Sequence, residues 1–149
     1  MAISQAMCTS FKVELLDGIH AFGTTVVRGA TTADTFKMAL YTSSASLGAA
    51  TTAYTASDET SGTGYVATGQ DLTVSDVPVA SGTTAILNFS TETWTTASIT
   101  AAGALIYNDT QSDKAVAVLD FGGDKTSTAG DFSVVFPTFD ATNAIIRIA

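Results

Sequence analysis

Two long apolar runs, ASITAAGALIYN (Ala97–Asn108) and KAVAVLDF (Lys114–Phe121), are separated only by the polar pentapeptide DTQSD. Runs this continuous suit strands covered on both faces. A connection this short returns the second strand beside the first, as an antiparallel hairpin. Such a hairpin needs further layers to cover it, and the remaining sequence supplies them. FKMALYT (Phe36–Thr42) alternates, with Phe36, Met38, Leu40 and Thr42 on one face and Lys37, Ala39 and Tyr41 on the other. DLTV (Asp71–Val74) and TAILNFS (Thr84–Ser90) read as short strands, with Gly69 and Gly82 as breakers. After the turn-rich GGDKTSTAG, DFSVVFP alternates through Phe132, Val134 and Phe136, and AIIRI (Ala144–Ile148) is a last strand.

Ahead of these strands, residues 4–17 read as a helix. Met7, Phe11 and Leu15 recur four residues apart, with Cys8 and Leu16 beside them, Ser4 as N-cap and Gly18 at the left-handed C-terminal position. The expected fold is mainly β: an antiparallel β-sandwich, jelly-roll-like in one version, with one short N-terminal α-helix. One domain is expected over residues 1–149, with a helical segment over about residues 1–20 and a β-rich body over 33–149. The stretch Thr42–Gly69 reads as one long loop, punctuated by Leu47, Tyr54 and Tyr65.

Composition narrows the chemistry. The chain has one His and one Cys, too few for a zinc site, and one Cys cannot form a disulfide within the chain. Cys8 reads as a small buried hydrophobe. His20, just past the helix, is expected to donate to the last helical carbonyls or to be exposed. A small hydrolase built on Cys8 and His20 is the least favoured reading. Asp120, Asp124 and Asp131 flank a Gly-rich stretch but lack a calcium-loop spacing and read as solvated turn acids. GTTVVRGA lacks the ending of a phosphate loop, and SGTGY reads as a turn. The 26 Thr and 14 Ser suit pleated surface without any catalytic role. No cofactor and no enzymatic activity are expected.

Charge points the same way. Six Lys and Arg oppose fourteen Asp and Glu, for a net charge of −8. Nucleic-acid binding draws on clustered basic residues, and here none cluster, so neither nucleic acid nor an anionic membrane is an expected partner. No run approaches the roughly 18 apolar residues of a membrane helix, and MAISQAM carries no secretory signature.

SFKVELLDGIHAF (Ser10–Phe22), followed by ADTFKMALYTSSASLGAATTAYTASDETSGTGY (Ala33–Tyr65), resembles a group of small tailed-bacteriophage virion proteins. In that group an SFK-x-ELL-x-G-x-H segment precedes a DTFK-x-ALYTSSA-x-L segment, an SGTGY turn and a β-rich remainder. The ending VAVLDFGGDKTSTAGDFSVVFP…NAIIRIA is similar as well. The resemblance implies a structural protein of the particle, a capsid decoration (cement) protein assembled in the bacterial host cytoplasm and held on the outer face of the capsid. It implies the major capsid protein and copies of the chain itself, as a dimer or trimer, as partners. It carries over no catalytic residue. Contacts are expected from the segment Met1–Cys8 and the loop Ser43–Gly64, with Ile3, Met7, Phe11, Tyr41, Leu47, Tyr54, Tyr65 and Trp94 as candidate interface residues. The alternative is a tail- or fibre-associated β-sandwich module for host-surface carbohydrate, in which Tyr41, Tyr54, Tyr65 and Trp94 would grip the sugar.

Overall fold

A computed structural model describes residues 2–16, 18–23 and 33–149. The string GTTVVRGA therefore lies outside the described residues except for its first glycine, as do Met1 and Asp17. The fold is mainly β, with two antiparallel sheets and one short helix in a sandwich-like arrangement. The elements are β1 (Ala6–Met7), α1 (Thr9–Leu16), β2 (Phe36–Tyr41), β3 (Gln70–Leu72), β4 (Val74–Ser81), β5 (Thr84–Phe89), β6 (Glu92–Asn108), β7 (Lys114–Val134) and β8 (Ile146–Ile148). The larger sheet has the order β1-β7-β6-β2-β3 and the smaller β4-β5-β8.

The expected hairpin is the backbone of the molecule. β6 and β7 pair from Asn108↔Lys114 at the turn to Glu92↔Val134 at the far end. Residues 101–108 of β6 and 115–119 of β7 are all buried, as their unbroken apolar character requires. The turn closes with Ser112 and Asp113 at positive φ.

GGDKTSTAG is strand rather than turn. Its glycines and small residues serve bulges instead: four residues, Phe121–Asp124, stand against the single Ala102, and Thr128–Ala129 stand against Ser98. Gly122 and Gly123 take φ of 71° and 125° in open space, so they add length without leaving the ladder. A bulge on the other strand sets Thr95–Thr96 against Asp131.

Two boundaries also move. The helix begins at Thr9 rather than Ser4, because the residues before it are extended: Ala6 and Met7 pair with Val118 and Ala117, and the Cys8 N–H donates to the Val116 carbonyl. The β7 edge offers this segment interstrand bonds that a first helical turn cannot match. The helix still ends as the glycine implies, with Gly18 at φ 68° and its N–H on the Leu15 carbonyl. DLTV splits in two, since the chain leaves one sheet at Leu72 and enters the other at Val74.

The core lies between the sheets. Phe89 of β5 meets Phe36 of β2 at a ring-centroid distance of 6.1 Å and Phe136 at 5.7 Å, and Phe22 stacks on Phe36 at 4.3 Å. Leu87 and Ile146 join it from the small sheet, and Phe11 and Cys8 from the N-terminal segment.

Candidate functional site

The loop Thr42–Gly69 is a strap laid across the large sheet, and its polar side chains converge on one carboxylate. Tyr54 donates its hydroxyl to Glu59 Oε2 at 2.6 Å, and Tyr65 donates to Oε1 at 2.6 Å. The Thr68 N–H adds a third bond, to Oε1 at 2.8 Å. The sheet below completes the network. The Leu40 N–H donates to the Tyr65 oxygen, the Tyr107 hydroxyl to the Thr68 carbonyl at 2.7 Å, and the Tyr41 hydroxyl to the Thr55 carbonyl at 2.6 Å. Thr60 ties the strap to β6 through the Thr100 carbonyl.

Local sequence explains the path. Gly69 has φ 76°, and a Cβ there would lie 1.8 Å from the Met38 carbonyl oxygen, so the strap meets β2 where only glycine fits. Thr68 before it is also left-handed, at φ 78°, an unusual state for a β-branched residue.

The electrostatics follow from burial beside a carboxylate. Burial, then the bond to Glu59, pushes the Tyr54 hydroxyl up to about 12. Tyr65 is raised further, for the same two reasons in the same order. Tyr41 and Tyr107 are raised chiefly by burial. All four hydroxyls stay protonated and serve as donors.

A second polar cluster lies at the turn end of the hairpin, beside Tyr107. Asn108 Nδ2 donates to Asp34 Oδ2 at 2.9 Å and lies 2.9 Å from Nδ1 of buried His20. Asp34 also accepts from the Ala21 N–H and from Gln111 Nε2. His20 is thus buried rather than exposed, with its ring edge-on to Phe11 of α1 at a centroid distance of 4.8 Å. Cys8 is fully buried, its Sγ directed at the Gly48 carbonyl. Among the described residues no three His, Cys, Asp or Glu side chains gather as metal ligands. Asp120 instead accepts from the Gly122 N–H.

The candidate interface residues fall into two groups. Phe11, Tyr41, Leu47 and Trp94 are buried in the core of this chain. Ile3, Met7, Tyr54 and Tyr65 are partly buried and packed against that core. Tyr65 stacks on Trp94 at 6.1 Å, which brings two of the eight together inside the fold. The segment before α1 lies on its own sheet: the Ser4 N–H bonds the Leu47 carbonyl, and Ile3 occupies the space above Gly103.

The open surface is elsewhere. Beyond Val118, no described strand pairs with the outer edge of β7. A groove of about 570 Å³ runs along that edge, lined by Phe121, Lys125, Asp131, Phe132, Val135 and Phe136 among others. Val135 is 72% exposed. Sequence reasoning read DFSVVFP as a strand but had no signal that its flank would stay uncovered. It also missed Glu59, whose tyrosine partners meet it only in space.

Comparison of the chain with protein-family models, with curated proteins and with solved structures gives no match to any of them.

Proposed function

We propose that this chain is a decoration (cement) protein of a tailed-bacteriophage particle, binding the outer surface of the capsid shell and bridging major capsid subunits. One observation carries the reading. The described side chains best suited to chemistry are engaged within the fold, while a long strand edge with apolar flanks is left open. The tyrosine hydroxyls, Asp34, Asn108 and Glu59 all hold structure. The groove beside β7 offers Phe121, Val135 and Phe136 to a neighbour.

The physics of a cement protein agrees with these features. A packaged genome presses outward, and a bridge between subunits stiffens the shell without any reaction. Each contact can be modest, about 800 Å² per partner, because a bridge touching several subunits gains avidity. A net charge of −8 keeps the chain soluble and away from DNA. The resemblance of SFKVELLDGIHAF and the DTFKMALYTSSASL segment to small virion proteins supports the same reading. The carbohydrate-binding alternative has less support. Tyr41 and Trp94 are buried, and Tyr54 and Tyr65 spend their hydroxyls on Glu59.

The test is binding to particles that lack the chain. Wild-type protein is expected to bind heads, and Val135→Asp to bind at least tenfold more weakly with an unchanged melting temperature. Undiminished binding of Val135→Asp would move the contact off this groove. No binding by the wild type would contradict the function itself.

A further inference from the structure

Between α1 and the small sheet lies a pocket that shares no lining residue with the groove beside β7. Its volume is about 120 Å³. Phe11 and Leu15 of α1 stand on one side with Phe22. Ala85 and Leu87 of β5 stand on the other, with Ile146 and Ile148 of β8. Every described side chain on the lining is apolar. We infer that this pocket is a binding site for a small uncharged apolar molecule, an aromatic ring or branched hydrocarbon about the size of benzene.

One small residue leaves the space open. Ala85 pairs with Ala80 and with Ile148, and Leu87 pairs with Ile146. Residues two apart on a strand share a face, so Ala85 points to the side from which Leu87 joins the core. Leu87 fills its place there. Ala85 offers only a methyl group, and it is exposed where the pocket opens. The facing wall is fixed by its own contacts and does not collapse into the gap. Phe22 stacks on Phe36 at 4.3 Å with the rings 8° from parallel, and it meets Phe11 edge-on at 5.9 Å. Phe11 is itself fully buried. A pocket formed in advance loses little freedom when a ligand enters.

The lining selects the class of ligand. Water held there would need polar partners, and no described side chain on the lining supplies one. Apolar cavities of about 150 Å³ in other proteins stay dry and take benzene or xenon. A molecule that fills this pocket gains dispersion contacts that the bare walls lack. A charged or hydrogen-bonding ligand would give up water with nothing in return.

Benzene is the probe, titrated into the intact chain while the methyl resonances are followed by NMR. Those of Leu87, Ile146 and Ile148 are expected to shift and to saturate, and those of Val66 and Val135, exposed elsewhere, to stay in place. The melting temperature is expected to rise by about 2 °C or more in benzene-saturated buffer. Ala85→Leu places a larger side chain in the gap and is expected to bind benzene at least tenfold more weakly. Absent or unsaturable shifts at the pocket methyls of the wild type overturn the inference, as does an equal response in Ala85→Leu. Shifts produced by raising the protein concentration alone would put a second copy in the pocket, and would overturn it too. Should Ala85→Leu fail to fold, the wild-type methyl shifts decide by themselves.

Discussion

Gly69 and Gly122 both hold positive φ, at 76° and 71°, yet their surroundings differ completely. At Gly122 nothing lies within 4 Å of an added Cβ, so Gly122→Ala meets only the left-handed backbone penalty, about 1–2 kcal/mol. At Gly69 the same Cβ would also strike the Met38 carbonyl oxygen and carbon, which belong to a buried strand. Gly69→Ala is therefore expected to destabilise by clearly more than Gly122→Ala, or to prevent folding. Urea melts of the two variants side by side check this, and equal midpoints would contradict the packing described for the strap. The same scale explains why Glu59 escapes a linear reading. Its partners lie five, six and nine residues away in a stretch rich in Ser, Thr and Gly, and nothing in that spacing marks an acceptor.

Between elements, the aromatic contact through Phe89 joins the two sheets. Phe89→Ala is expected to cost about 3–5 kcal/mol, as for other buried aromatic truncations. Equilibrium denaturation measures it, and a loss under 1 kcal/mol would mean that the sheets are held together elsewhere. How far the elements were legible in the sequence depends on burial. Phe36–Tyr41 and the two arms of the hairpin declare themselves because covered strands must be apolar. β4 does not, since most of its residues are exposed and Pro78 argues against a strand. It is an edge strand whose register shifts between Asp76 and Val79, where a missing N–H does no harm. The bulges in β7 hide in the same way, because Gly122, Gly123 and Ala129 carry the φ values of turns inside a continuous ladder. At the N-terminus a four-residue spacing suits Met7 on a strand and Phe11 on a helix equally well, since both side chains pack inward.

For the molecule as a whole, the four buried or half-buried tyrosines set an alkaline limit. Their hydroxyls titrate higher in the folded chain than the ordinary value of 10.0, with Tyr54 at about 12. A raised folded value means that the stabilisation is complete below pH 10 and is lost as the pH climbs through 12. Thermal melts between pH 8 and pH 12 are expected to be flat to about pH 10 and then to fall. Tyrosinate absorbance is expected to appear together with unfolding, and ionisation of all four tyrosines in a still-folded chain would contradict their described burial. At the particle scale the proposed role is that of a bridge on the outside of a phage head. Imaging of particles that carry a labelled copy tests it most directly. Label is expected over the outer head surface, with heads that lack the chain bursting more readily under osmotic shock. Label confined to the tail, or particles assembled without the chain at all, would contradict it.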